Sequence, residues 1–252
     1  MFNLKDKVAV VTGGNGGIGL GMGLGLARAG AHVVIAARNA EKSAAAVREV
    51  ERAGGQASAV NVDVADEASV KRLMASVKSR HGRLDVLINN AGMNIRKPLD
   101  ELSLAEWRQV IDTNLTSAFL CCHAAYPLFK ATGAGKVINI GSMMSIFGAS
   151  FAPAYAASKG GIVQLTKATA VAWAKDNIQV NAVLPGWIDT ELTQNARKQV
   201  SGLHDSVLRR TPAGRWGTGE DMAGVAVFLA SAASDFVTGT AIPVDGGYAI
   251  QG

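Results

Sequence analysis

The chain has 252 residues, 48% of them hydrophobic, 18% charged and 6% aromatic, with 29 glycines and two cysteines. That length supports a full core, the composition excludes disorder and collagen, and two adjacent cysteines (Cys121, Cys122) cannot build a disulfide framework, so a reducing, cytoplasmic setting is expected. The net charge of +5 is spread among interleaved acids and bases, which reads as solvated faces and gives no expectation of nucleic-acid binding. Two uncharged stretches, 8–27 and 137–158, are interrupted by glycine, serine and asparagine, so neither is expected to span a membrane.

Short β-branched runs alternate with longer helical intervals, which predicts parallel βαβ units and an α/β fold: a single-domain doubly wound sheet of about seven strands with helices on both faces. The first run, Val8-Ala9-Val10-Val11, leads into Thr12-Gly13-Gly14-Asn15-Gly16-Gly17-Ile18-Gly19. A glycine turn between a strand and a helix lets a pyrophosphate approach free backbone N–H groups at the positive end of the helix dipole. The next segment, Gly19 to Leu26, places glycine at every second position. Its period of two suggests a strand, but a βαβ crossover has to fill the interval, so a helix lying close to the sheet is expected.

The second strand, His32-Val33-Val34-Ile35, ends in Ala36-Ala37-Arg38-Asn39. No acid stands there to hold a ribose 2′-hydroxyl, whereas the Arg38 fork suits a 2′-phosphate, so NADP is expected to be preferred over NAD. The third strand (57–62) ends at Asp63 and Val64, which could frame an adenine ring. The fourth, Val86-Leu87-Ile88, runs into Asn89-Asn90-Ala91-Gly92, and beyond it Arg96 could grip a substrate carboxylate. Cys121 and Cys122 lie in an apolar helical stretch and read as packing residues.

The fifth strand, Lys136 to Ile140, delivers Ser142 to its C-terminal end, with Ser145 as a competitor for any hydroxyl role. Tyr155 and Lys159 are four residues apart in a helical stretch and so share one face, about 6 Å apart along the axis. A neighbouring ammonium favours the phenolate, which would let Tyr155 exchange a proton with an alcohol or carbonyl. After the sixth strand, Ile178 to Val183, the segment 187–215 is polar and reads as a loop-like, mobile lid. Met144 and Trp187 flank the site as candidate pocket walls, and a seventh strand is expected at Ala241 to Val244, where Pro243 favours an edge or strand-end position. His32, His81, His123 and His204 show no ligand spacing, so no metal site is expected.

Taken together, Thr12-Gly13 with Gly17 and Gly19, Asn89-Asn90-Ala91-Gly92, Asn114, Ser142 thirteen residues before Tyr155, Lys159 and Pro185-Gly186 resemble the short-chain dehydrogenase/reductase family over nearly the whole chain. The resemblance implies a Rossmann-type fold and a nicotinamide cofactor. It makes Tyr155 the acid/base, Ser142 the group that polarises the substrate carbonyl, and Lys159 the residue that binds the nicotinamide ribose and lowers the tyrosine pKa. Asn114 would anchor a water in the proton relay. Pro185, Gly186, Ile188 and Thr190 would hold the carboxamide end, with Asn90 and Gly92 near the middle of the cofactor. A homotetramer is also implied, with the helix of Cys121 and that of Tyr155 packing between subunits.

The runs Gly141-Ser142-Met143-Met144-Ser145, 212–217 and Val244-Asp245-Gly246-Gly247 resemble those of bacterial gluconate and deoxygluconate dehydrogenases within the family. They imply a small-molecule substrate, a sugar acid or polyol. A 3-oxoacyl-thioester reductase is the alternative within the family. A dinucleotide-binding regulator without catalysis is the alternative outside it, and the complete set of Ser142, Tyr155 and Lys159 weighs against that.

Overall fold

The computed structural model describes residues 1–252. Seven parallel strands form one sheet: β1 (Val8–Thr12), β2 (His32–Ala37), β3 (Gln56–Asn61), β4 (Val86–Asn89), β5 (Gly135–Ile140), β6 (Ile178–Pro185) and β7 (Ala241–Val244), in the order β3-β2-β1-β4-β5-β6-β7. The chain reverses its direction of travel between β1 and β4, and in open α/β sheets such a reversal opens a crevice at the carboxyl ends of the strands. Both faces of β1 are buried: Ala9 and Val11 join one core, Val8 and Val10 the other. That is why the strands read as continuous apolar runs rather than alternating ones. β7 is one of the two edge strands, with Pro243 in register with Leu184.

Helices α1 (Gly17–Arg28), α2 (Ala40–Arg52) and α9 (Ala223–Ala230) cover one face; α3 (Glu67–His81), α5 (Ser117–Thr132) and α6 (Pro153–Trp173) cover the other. Between them α4 (Leu104–Ile111) runs through a five-residue π turn, Asp112–Thr116, into α5. The alternating glycines do form a helix, and their period resolves into two sets. A Cβ on Gly19 or Gly23 would point at the sheet side, 2.4 Å from Asn90 Nδ2 or 3.4 Å from Val33 Cγ1. A Cβ on Gly21 would lie 2.0 Å from the Gly219 carbonyl oxygen, and one on Gly25 would lie 2.7 Å from Ala223 Cβ. The close approach is therefore as much to the start of α9 and the turn before it as to the sheet, and residues spaced by four share each face.

The segment 187–215 is not loop-like. It folds into α7 (Glu191–Gln199) and α8 (Leu203–Arg210), which have a small core of their own in Ala196, Leu203, Val207 and Trp216. Polarity misled because both helices are short and amphipathic, so most of their residues face water. The Thr190 side chain caps α7 by accepting from the Thr193 N–H, and Arg197 and Lys198 sit in its last turn, where they complement the helix dipole.

Candidate active site

A cleft of about 600 Å³ opens over the carboxyl ends of the strands, between the glycine turn on one side and the segment carrying α7 on the other. Its floor is set by Thr12. The Thr12 hydroxyl accepts from the backbone N–H groups of Asn90 (3.0 Å) and Ala91 (3.1 Å), while the Asn90 amide donates back to the carbonyls of Thr12 (2.9 Å) and Gly13 (3.1 Å). These bonds lock the ends of β1 and β4 together and hold the glycine turn in shape. Gly13 (φ +62°) and Gly17 (φ +52°) occupy the left-handed region, and a Cβ on Gly17 would meet the Thr190 side chain at 2.9 Å. Gly16 caps α1 with no side-chain hydrogen bond, so the first N–H groups of that helix are available to an anion.

Tyr155 and Lys159 project from the first turns of α6, and Ser142 comes from the turn leaving β5; all three line the cleft. The two serines divide their roles. Ser145 Oγ accepts from the Ser142 backbone N–H (3.2 Å) and donates to the Lys159 carbonyl (2.7 Å), tying the turn to α6. Ser142 Oγ accepts from the Met144 N–H (3.1 Å) and shares the cleft lining with the phenol of Tyr155. Lys159 is buried, and its Nζ donates to the Ile140 carbonyl (2.7 Å) and lies 5.6 Å from the centre of the Tyr155 ring. Burial without an acidic partner brings its pKa down to about 8.

Burial pushes the Tyr155 hydroxyl above its ordinary value, while the polar Ser142 side chain and the positive charge of Arg96 pull it back. The Lys159 ammonium is turned to the Ile140 carbonyl, and Arg96 is a further cation that opposes burial at the phenol. Arg96 reaches across the cleft to α7, donating from Nη1 to Gln199 Oε1 (3.1 Å) and from Nη2 to the Leu192 carbonyl (3.2 Å). Both partners are neutral, so no acid pairs with the guanidinium, and burial lowers its pKa.

Asn114 sits in the π turn with its side chain fully engaged: Oδ1 accepts from the Met93 N–H (2.8 Å), and Nδ2 donates to the Met93 carbonyl (2.9 Å) and to Ser158 Oγ (3.0 Å). It fixes the loop after β4 against α6. A single π turn of this kind is common at functional sites because it offsets the backbone from the regular ladder.

Of the sequence-derived cofactor residues, Gly13, Asn15, Gly17, Ile18, Arg38, Asn90, Ala91, Gly92, Pro185, Gly186, Ile188 and Thr190 line the cleft along with Tyr155 and Lys159, as do the candidate substrate residues Arg96, Met144 and Trp187. Thr12 and Gly19 lie beneath it, in supporting positions. Asp63 and Val64 are outside the lining: Val64 is buried in the core, and exposed Asp63 accepts from the Ala65 N–H (3.0 Å). Glu191, Leu192, Thr193 and Asn195 also line the cleft and were missed, although a capping threonine ahead of an acid and a later basic pair marked a helix start there.

The residues fit a nicotinamide dinucleotide carrying a 2′-phosphate: an open helix N-terminus, glycines where a Cβ would obstruct, exposed Arg38 at the end of β2 and a buried ammonium beside a phenol. The family profile described as "Enoyl-(Acyl carrier protein) reductase" matches residues 13–249. The chain is 42% identical over 248 residues to the 2-dehydro-3-deoxy-D-gluconate 5-dehydrogenase of Formosa agariphila, covering 98% of this chain and 94% of that one. It is 39% identical over 251 residues to the gluconate 5-dehydrogenase of Gluconobacter oxydans (100% and 98%). Among solved structures, a gluconate 5-dehydrogenase from Burkholderia cenocepacia in complex with NADP and tartrate superposes with a TM-score of 0.93 at 41% identity, covering 98% of this chain and 96% of that one. With a parallel seven-stranded sheet and the Ser142, Tyr155 and Lys159 set in one cleft, the chain belongs to the short-chain dehydrogenase/reductase family.

Proposed function

We propose that the protein is an NADP-preferring oxidoreductase that interconverts a secondary hydroxyl and a carbonyl on a sugar acid of the gluconate type. The observation that carries this reading is a guanidinium with no acidic partner, Arg96, in the same cleft lining as the Tyr155 and Ser142 side chains. Such a site offers a carboxylate anchor on the same molecule as the reacting carbon. The names of the relatives support the same substrate class.

The cofactor, when bound, supplies the hydride chemistry. Tyr155 donates its phenolic proton to the carbonyl oxygen in reduction and removes the hydroxyl proton in oxidation. Ser142 donates a hydrogen bond to the oxygen on which charge develops. Lys159 holds a positive charge behind the phenol and offers N–H donors to the cofactor ribose. Asn114 and Ser145 position these groups through Met93, Ser158 and the Lys159 carbonyl. Arg96 fixes the carboxylate, and α7 and α8 act as a movable cover over it.

Three features of the wider setting belong to the proposal. Phe119 on α5 (51% exposed) and Val171 on α6 (83%) are apolar side chains on the outer faces of those helices, which supports their packing against other copies in a homotetramer. Both cysteines are free thiols in the core, which suits a reducing cytoplasm. Arg38 supports NADP over NAD. The family profile's description favours a second reading, an acyl-thioester reductase, and one experiment separates the two. Purified protein is offered gluconate-type sugar acids, polyols and 3-oxoacyl thioesters with either cofactor, following nicotinamide absorbance. Turnover of a sugar acid with NADP supports the proposal; turnover confined to acyl thioesters refutes it.

A further inference from the structure

The rim of the cleft next to Arg38 carries an ion pair that joins its two walls. Lys42, in the first turn of α2, bonds through Nζ to Oε2 of Glu191, the first residue of α7, at 2.8 Å. The two are 149 positions apart in sequence, and Glu191 lines the same cleft as Arg38. The base of Lys42 is fixed: its N–H donates to the Asn39 cap at 2.9 Å, and the Asn39 carbonyl accepts from Ser43 N (3.0 Å) and Ser43 Oγ (2.7 Å). The glycine turn is tied to the same point, since Asn15 Nδ2 donates to Ser43 Oγ at 3.3 Å. The Arg38 carbonyl is held by Asn61 Nδ2 at 2.7 Å, so the loop presenting its guanidinium is anchored as well.

A phosphomonoester carries about −1.5 to −2 charges near neutral pH. Arg38 alone offsets only one of those charges, and Glu191 adds another negative group at the same rim. The cation able to redress the balance is Lys42. We propose that Lys42 is the second cation of the 2′-phosphate subsite and that Glu191 competes for it, so that the Lys42–Glu191 pair sets how strongly the enzyme discriminates NADP from NAD.

This rests on the reading of Arg38 as a 2′-phosphate ligand, and the test separates the two claims. Dissociation constants for NADPH and NADH are measured by fluorescence titration of the full chain, with 2′,5′-ADP and 5′-AMP as competitors that carry no nicotinamide. Both residues are exposed and their pair is screened, so effects of about fivefold are expected. Lys42→Met weakens NADPH and 2′,5′-ADP by that factor and leaves NADH and 5′-AMP in place. Glu191→Gln tightens NADPH and 2′,5′-ADP, and its gain shrinks when Lys42 is already Met. An unchanged NADPH-to-NADH ratio in Lys42→Met, or weaker NADPH binding in Glu191→Gln, overturns the inference. If Arg38→Glu collapses that ratio in the same series, the parent reading survives the loss; if Arg38→Glu leaves it intact, the parent reading falls too.

Discussion

Replacing Gly21 by alanine puts a methyl carbon 2.0 Å from the Gly219 carbonyl oxygen and 2.2 Å from its carbonyl carbon, both backbone atoms with no rotamer to escape into. Restoring a van der Waals contact requires α1 and the turn before α9 to part by about 1 Å or more, in an interior packed as densely as a crystal. Overpacking of this kind costs about 1–3 kcal/mol and can exceed that where backbone has to move. The displacement reaches the cofactor cradle, because Gly219 also abuts the Gly17 carbonyl, so NADPH affinity falls along with stability. Gly23, two residues on, gives the opposite sign. A Cβ there meets only Val33 Cγ1 at 3.4 Å, an ordinary contact, and the helix gains up to about 1 kcal/mol from exchanging glycine for alanine. Urea unfolding of the two variants, paired with NADPH titration, checks both values. Equal effects of the two substitutions, or a Gly21→Ala protein as stable as the parent, would refute the claim that the glycines mark two different packed faces.

Arg96→Met removes a charge that favours the Tyr155 phenolate, so the pH at which alcohol oxidation gains its base moves upward, visible as an alkaline shift of the acid limb of kcat. The same variant raises KM for carboxylate-bearing substrates far more than for neutral polyols. His32 and His81 pack with ring centres 4.5 Å apart and planes tilted by 48°, and burial holds the pKa of each below 6.5. The neutral rings are favoured in the folded state, so this contribution is complete above the unfolded value of about 6.5 and is lost as pH falls through the lowered folded values. The urea midpoint is therefore expected to drop below pH 6.5, and His81→Gln to flatten that drop.

The inner strands β1, β2 and β4 were legible because both faces of the sheet are covered there, which turns each into a nearly uninterrupted apolar run such as Val8 to Val11. The cleft-lining glycines and asparagines at the strand ends were legible through their ordered conjunction with Ser142, Tyr155 and Lys159, each piece being weak alone. Two kinds of information were hidden. The helices α7 and α8 bury only a narrow stripe against each other and Trp216, so their sequence looks like loop. Pairings across the cleft were hidden as well. Arg96 with Gln199 and Lys42 with Glu191 each join distant parts of the chain, and no local pattern announces them; the same holds outside the cleft for Arg210 over the rings of Phe147 (4.7 Å) and Tyr248 (4.3 Å). The same blindness explains Tyr155, whose four-residue spacing to Lys159 was visible while the orientation of the ammonium and the influence of Arg96 were not.

The most direct test removes one oxygen atom. Tyr155→Phe keeps the ring in place and deletes the proton donor, so NADPH affinity by fluorescence titration should stay within about twofold while turnover of the best sugar acid falls at least a hundredfold, the lower end of what a positioned acid/base contributes. Turnover within tenfold of the parent, at unchanged cofactor affinity, would contradict the assignment of proton transfer to that phenol.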